Sequence, residues 1–470
     1  MQDFASLVPL LVTGAGAILL MLYAVCPTAD KEKASYISMA FFAVAFFMQL
    51  SVACGPARQI FPGIFHGLIG VSGFTNAACL IIFVCGFFTS AACNSYFKEN
   101  AFARVEFYAL ILFSASGMVL LSMARELISA FIALEIMSLG IYVLVGFDRN
   151  SERATEAVFK YLLLGAFAGA FFCMGAAMIF GAVGSTRFVD IALYLQTNPA
   201  STPMLLGGVF FLIVTLFFKI SAFPFHAWVL DVYDGAANPV TGFMATALKT
   251  AVFSLFANII AISGGLHDSW LTTLFWIAVC TMFAGNLIAI GQDNIKRMIA
   301  ASGIVHSGYL LIALAAIHAE QFTGSVIAYY LIAYSVATLG MFAALSYLSG
   351  AGEKRVKFAD FKGLAQKRPC SAAMICIFLL SMAGIPPTAG FMGKFYIIVA
   401  AIDAGLIALA VLGIVSSILS MWYYLRLIIN MYFHDAEEEF EVDGKSSLAV
   451  YASGVLAFGV FAIGLSPLLF

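Results

Sequence analysis

The chain has 470 residues, 63% of them hydrophobic and only 10% charged, with a formal net charge of −2 and a mean hydropathy of +1.02. So little charge excludes a water-soluble globular domain, and near-neutrality gives no electrostatic case for a nucleic acid or a strongly acidic substrate. The apolar runs are long and unalternating, which excludes a β-barrel; amides in lipid are then satisfied only within helices, so the expected fold is an all-α polytopic transmembrane bundle with the lipid bilayer as its main solvent.

At about twenty apolar residues per crossing, about fourteen spans are expected. In chain order they fall near 4–25, 35–54, 71–93, 104–123, 126–147, 154–182, 204–231, 238–263, 270–290, 295–317, 322–349, 371–402, 405–433 and 447–468. The first run follows Asp3 with neither a basic region nor an A-x-A site, so it reads as a span and not as a cleaved signal. No linker divides the chain, which reads as a single membrane domain over 1–470. Within it, 1–103 holds three N-terminal helices, 104–263 and 270–433 hold five spans each, and 447–468 is a C-terminal helix.

The cysteines stand singly, as at Cys79, Cys85, Cys173, Cys280 and Cys376, with no C-x-x-C pair. They read as small buried hydrophobes and give no metal or disulfide pattern. Alternating the loops between two sides puts Lys31, Lys33, Lys98, Arg104, Arg149, Arg153, Lys296, Arg297, the basic cluster at 354–368 and Lys445 together. Arg58, Arg125 and Arg187 fall opposite. The basic side is therefore expected to be cytoplasmic, with both termini outward. The run Glu437, Glu438, Glu439, Glu441 and Asp443 reads as a solvated loop.

Removing loop charges leaves Glu135, Lys160, Lys219, Lys249 and Lys394 inside spans, with Arg426 nearer an end. A charge at the bilayer centre costs at least about 2.5–3.5 kcal/mol, so such residues face a wet interior and carry function. Glu135 and Lys249 lie deepest. Lys160, a turn or two inside its helix, reads equally as a relay or as a snorkelling side chain, and Arg426 reads as snorkelling.

Helix breakers accompany two of the lysines. In FFKISAFPFHAW, Pro224 lacks an amide donor and frees a carbonyl near Lys219; in SMAGIPPTAGFMGKFY, Gly384, Pro386, Pro387, Gly390 and Gly393 interrupt the span before Lys394. Broken backbone at membrane depth is a device for building ion sites. Lys219 on the seventh span and Lys394 on the twelfth are equivalent if spans four to eight and nine to thirteen form two units. Five helices per unit invert the second relative to the first, with broken helices seven and twelve matched. Burial of an amine favours its neutral form and a nearby carboxylate favours the charged one, so motion of Glu135 relative to Lys219 would load or release a proton. His226, beside the break, and His306, mid-helix, are candidate relays or structural hydrogen-bonded residues. His66, His267, His318 and His434 fall in loops or near span ends.

These residues sit in stretches that together resemble one family: LEIMSLGIYVLVGF around Glu135, KYLLLGAFAGAFF from Lys160, FKISAFPFHAWVLDVYDGAANPVTGFMATALKTAVF, QDNIKRMIAASGIVHSGYLLIAL and SMAGIPPTAGFMGKFY. The chain resembles the antiporter-like subunits of respiratory NADH-quinone oxidoreductase, the proton-pumping complex I, over nearly its whole length. The resemblance implies that Glu135 pairs with Lys219, that Lys249 is the central relay and that Lys394 faces the exit. A lysine in the GF-x-GKF context, with no long C-terminal lateral helix, resembles the N type.

It further implies a bacterial cell (inner) membrane location, and protons as the cargo. Its implied partners are the antiporter-like M type and small helical membrane-arm subunits. No cofactor is expected on this chain; NAD, FMN, iron–sulfur clusters and quinone are expected in partner subunits, which do the redox chemistry. The alternatives are a subunit of a multisubunit cation/proton antiporter of the Mrp type, the equivalent subunit of a complex with another electron donor, and a structural subunit whose charges only hold helices together.

Overall fold

Without water to bond exposed amides, each apolar run closes its hydrogen bonds along its own axis, and the secondary structure is set by that constraint. A computed structural model of the protein describes residues 6–54, 67–100, 102, 104–198, 202–262, 267–317, 324–436 and 448–466. Among these the regular structure is helical, with only isolated bridges between extended residues.

The first helices are α1 (Val8–Ala24), α2 (Lys31–Cys54), α3 (Gly73–Glu99), α4 (Glu106–Met123), α5 (Leu127–Val145), α6 (Glu152–Val183) and α7 (Phe188–Thr197). Next come α8 (Pro203–Ile220), α9 (Val229–Gly235) and α10 (Asn238–Phe243), which continues through a π turn (Met244–Leu248) into α11 (Lys249–Ile262). The remainder comprises α12 (His267–Ile290), α13 (Ile295–Ala315), α14 (Gly324–Leu348), the short α15 (Leu364–Lys367), α16 (Pro369–Ala383), α17 (Ala389–Asp403), α18 (Ile407–Phe433) and α19 (Leu448–Leu465).

Each expected span coincides with a helix or with a pair of helices, and among the described residues 12 helices are long and apolar enough to cross a membrane. The shorter α1 and α16 are equally apolar. One element differs from expectation. The segment between spans six and seven, read as a loop, contains α7, which buries Phe188, Ile191 and Leu195 along one face. Its 10 residues are too few to cross a bilayer, so a search for long apolar runs passes over it.

The two helix pairs are the expected breaks. α8 stops at Ile220, where Ser221 turns left-handed (φ 60°) and its amide points back to the Phe217 and Phe218 carbonyls. Through the Pro224 region the freed groups find partners. Trp228 Nε1 donates to Phe218 O at 3.1 Å, and the Phe223 amide donates to Thr281 Oγ1 at 3.1 Å. α16 stops at Ala383, capped by left-handed Gly384 (φ 83°), and α17 starts after Thr388.

The first turn of α17 then crosses α16 so closely that a Cβ on Gly390 would overlap the backbone oxygen of Ser381. Gly390→Ala is therefore expected to force the two half-helices apart at a cost of about 3 kcal/mol, the upper end for overpacking. The amount of this chain extracted folded from membranes should fall severalfold, whereas Gly14→Ala, where a Cβ meets nothing within 4 Å, should leave it unchanged.

α13 is buried along its length and the α10–α11 helix nearly so, whereas α2 and α6 bury mainly one face. The centre forms there because α12 and α13 meet through small residues: a Cβ on Gly285 would lie 2.9 Å from the Val305 nitrogen, and one on Gly308 would lie 3.1 Å from the Met282 nitrogen.

Packing separates two ends. At one, Lys31 Nζ donates to Phe97 O (2.9 Å), the Gly352 amide donates to Asn100 Oδ1 (2.9 Å), and Tyr96 OH donates to Glu353 (2.9 Å). At the other, Arg125 Nη1 donates to Asn258 Oδ1 (2.8 Å) and the Arg125 amide donates to Leu68 O (2.9 Å). The basic loops gather at the first. Arg426 behaves as expected for a snorkelling residue, its guanidinium meeting Asp293 near the surface. Lys296 departs from its reading as a loop charge: it is 1% exposed. Arg58, Lys445, His66, His318 and the run Glu437, Glu438, Glu439, Glu441 and Asp443 lie outside the described residues, as does the side chain of His267.

Candidate functional site

Five of the seven candidate residues converge on the bundle centre. Lys219, one residue before the end of α8, is 1% exposed. Its Nζ donates to Ser138 Oγ at 2.8 Å and lies over the rings of Tyr142 (5.7 Å) and Tyr161 (5.9 Å). Ser138 is one turn along α5 from Glu135, on the same face. Glu135 is not the hydrogen-bond partner of Lys219, whose Nζ is held by Ser138. The carboxylate fits because α6 offers Gly169 there: a Cβ would stand 2.9 Å from Glu135 Oε1.

Lys249 comes immediately after the π turn. Such a turn inserts one residue into the helical register and re-aims the side chains beyond it, and π turns are frequent at functional sites. The amine is 1% exposed and donates to Gly303 O and to Ser307 Oγ (3.0 Å). Ser307 Oγ in turn donates to Ile220 O at 2.7 Å, the carbonyl next to Lys219 where α8 breaks off. One hydroxyl thus ties the Lys249 amine to the backbone break at which the Lys219 helix ends.

Beyond Lys249 stands His306, 5% exposed and caged by tyrosines. Nδ1 meets Tyr330 OH at 2.7 Å and Nε2 meets Tyr424 OH at 3.3 Å. A neutral imidazole has one donor and one acceptor, so one phenol donates to the ring and the other accepts from it. Tyr334 bridges back to the lysine: its ring is 4.8 Å from that of His306 and lies under Lys249 Nζ at 5.7 Å.

Lys394, 6% exposed, completes the line. Its Nζ donates to Ala383 O (2.9 Å) and Ser417 Oγ (2.9 Å) and lies over Tyr309 at 5.0 Å; the Tyr309 ring is 6.3 Å from that of His306. Ala383 ends α16, so the ammonium sits at the negative end of a helix dipole.

Lys160 and His226 are not in this line. Lys160 Nζ lies 2.6 Å from both Glu156 and Asp231, with its side chain 40% exposed, and Asp231 also holds Arg297 at 2.9 Å. Pairs so exposed add little to stability. His226 stacks on Phe223 inside the break (5.5 Å), with Nδ1 buried and unpartnered, and it is not a partner of Lys219, Lys249 or Lys394. Tyr161 OH and Ser221 Oγ are also buried without a protein partner. Such a hydroxyl costs about 1–3 kcal/mol unless bonded, so water is its expected partner in this region.

A search for charges passes over the neutral groups that join them: Ser138, Ser307, Ser417, Tyr330, Tyr334 and Tyr424. One signal was available. Ser138 stands three residues from Glu135 and Ser307 is adjacent to His306, each a hydroxyl within a turn of a buried candidate.

Known proteins share this region. A family model described as NADH:quinone oxidoreductase/Mrp antiporter, TM matches residues 124–420. The chain is similar to NADH-quinone oxidoreductase subunit N of Trichlorobacter lovleyi, 41% identical over 80% of this chain and 77% of that one. It is also similar to NADH-quinone oxidoreductase subunit N 1 of Solibacter usitatus, 37% identical over 98% of this chain and 95% of that one. In three dimensions it matches a chain of respiratory complex I from Thermus thermophilus with bound aureothin. There the TM-score is 0.83 and the identity 31%, covering 98% of each chain.

Proposed function

The chain belongs to the NADH:quinone oxidoreductase/Mrp antiporter transmembrane family, and from that premise we propose that it is the proton-translocating subunit N of the membrane arm of an NADH-quinone oxidoreductase. The observation that carries the mechanism is the row Lys219, Lys249, His306 and Lys394. Its three amines are nearly inaccessible and held by hydroxyl and carbonyl oxygens in place of carboxylates. An ammonium so held is not locked in an ion pair, and the charge of a neighbour decides whether it keeps its proton.

Glu135 is that neighbour for Lys219. A shift of Glu135 toward or away from Lys219 loads or releases the first amine. The change passes along the break at Ile220 and Ser307 to Lys249, then past Tyr334, His306 and Tyr309 to Lys394. Driving one charge against 100 mV takes about 2.3 kcal/mol, so the energy comes from electron transfer in partner subunits, which hold the NAD, FMN, iron–sulfur and quinone sites; this chain is a non-redox subunit. The basic end faces the cytoplasm of a bacterial inner membrane, with both termini outward. The two five-span units are inverted repeats, each with one helix broken at a proline and a lysine beside it. Its neighbours are an M-type subunit and small helical membrane-arm subunits.

Purification from native membrane tests this reading. An iron–sulfur arm that oxidises NADH should co-purify, and the assembly should move protons in vesicles supplied with NADH and quinone. Sodium-dependent proton exchange by an assembly without any electron donor would assign the chain to the cation/proton antiporters of the same family.

A further inference from the structure

At the basic end, outside the lysine row, lies an ion pair that loop position alone does not suggest. Lys296, at the start of α13, is 1% exposed, and its Nζ stands 2.7 Å from Glu353 Oε2, whose side chain is 13% exposed. A buried ion pair brings little net stability, because desolvation offsets the attraction, so stability alone does not explain its presence.

Each member also holds a different helix end. Lys296 Nζ donates to Ala236 O at 2.6 Å, the carbonyl closing α9, and Glu353 Oε1 accepts the Asn238 amide at 2.9 Å, which opens the α10–α11 helix. Cation on a C-terminal carbonyl and anion on an N-terminal amide is the favourable arrangement for both dipoles. The reverse would oppose both. Tyr96 OH and the Gly352–Asn100 bond fix Glu353 from the side of α3.

The joint so held is mechanically placed. Ala236 and Ala237 alone connect the second half of the broken span, which carries Asp231, to the helix that carries Lys249. Glu353 also lines two polar cavities, of about 80 and 660 Å³. Asp234 links the first of these to a third, of about 450 Å³, which reaches Asp231 and Arg297.

We infer that the Lys296–Glu353 pair is a latch on this joint: closed, it holds Lys249 in register with Gly303 and Ser307, and its release opens the cavities toward the Lys249 helix during transport. Lys296 and Glu353 are positioning residues, since neither touches the lysine row. The inference rests on the proton-transport reading above.

The test uses the whole complex in inverted native vesicles respiring on NADH, with proton uptake read by a pH-sensitive dye and normalised to assembled complex. Glu353→Gln keeps an acceptor for Tyr96 and Asn238 but removes the charge. It should assemble in normal amount while proton transport falls about threefold. Exchanging the charges (Lys296→Glu with Glu353→Lys) restores a pair whose role is mutual attraction alone, but it opposes both helix ends, so transport should stay low. Full transport in Glu353→Gln, full restoration by the exchange, or failure of Glu353→Gln to assemble would each overturn the latch, the last by assigning the pair to folding. Lys249→Ala serves as the control: undiminished transport there would remove the proton-transport reading itself, whatever Glu353 does.

Discussion

Replacing Lys249 by alanine should abolish measurable proton transport by the assembled complex while leaving the bundle intact. The amine joins the two halves of the row, held by Gly303 O and Ser307 Oγ on one side and facing Tyr334 on the other. A positioned proton-transferring side chain contributes about 10²–10⁴-fold to rate, and the serine and carbonyl that remain cannot take over the role of an amine at this point. The fold tolerates the change. Gly303 O keeps the backbone amide bond of its own helix, and Ser307 Oγ still donates to Ile220 O, so no buried acceptor is orphaned. Removing the charge even relieves insertion by about 2.5–3.5 kcal/mol. Initial rates of vesicle acidification per assembled complex, with the amount of complex read on native gels, separate the two effects.

Lys394→Glu should be as damaging to transport and should also lower the amount of complex. A carboxylate at this position offers no donor to Ala383 O or Ser417 Oγ, and it sets negative charge against the C-terminal end of α16. Unfavourable charge–dipole contact of this kind reaches about 2 kcal/mol in partly buried settings, before the desolvation of the carboxylate itself. Transport should fall at least about a hundredfold, and solubilised complex should unfold at lower temperature than the parent. Lys394→Gln, which keeps a donor, should lose transport but retain the parent's thermal stability; a normal transport rate in either variant contradicts the placement of Lys394 on the path.

The spans and both breaks were legible because lipid makes their rules strict: long apolar runs must be helices, and Pro224 or the Pro386–Pro387 pair must end one. Glu135, Lys219, Lys249 and Lys394 stood out in the sequence for the complementary reason, since a charge inside an apolar run is costly and therefore rare, and the three lysines are buried. Other features depend on the third dimension. The fate of Lys160 was set by Asp231, a residue 71 positions away in the chain, which arrives only because α9 resumes after the break. The burial of Lys296 depends on Glu353, which reaches it from beyond α14. The π turn before Lys249 has no compositional mark, and α7 was too short to register as a crossing. Serine and tyrosine partners were invisible to a search for charge, although they line the whole row.

The most direct test is a cryo-electron map of the complete complex, at a resolution that shows ordered water, between the Lys249 amine, the His306 ring and the Lys394 amine. Water molecules bridging these groups and the hydroxyls of Ser307 and Tyr334 are the predicted result. Amines turned out to lipid headgroups, or dry apolar packing across the gaps between them, would contradict proton conduction through the row.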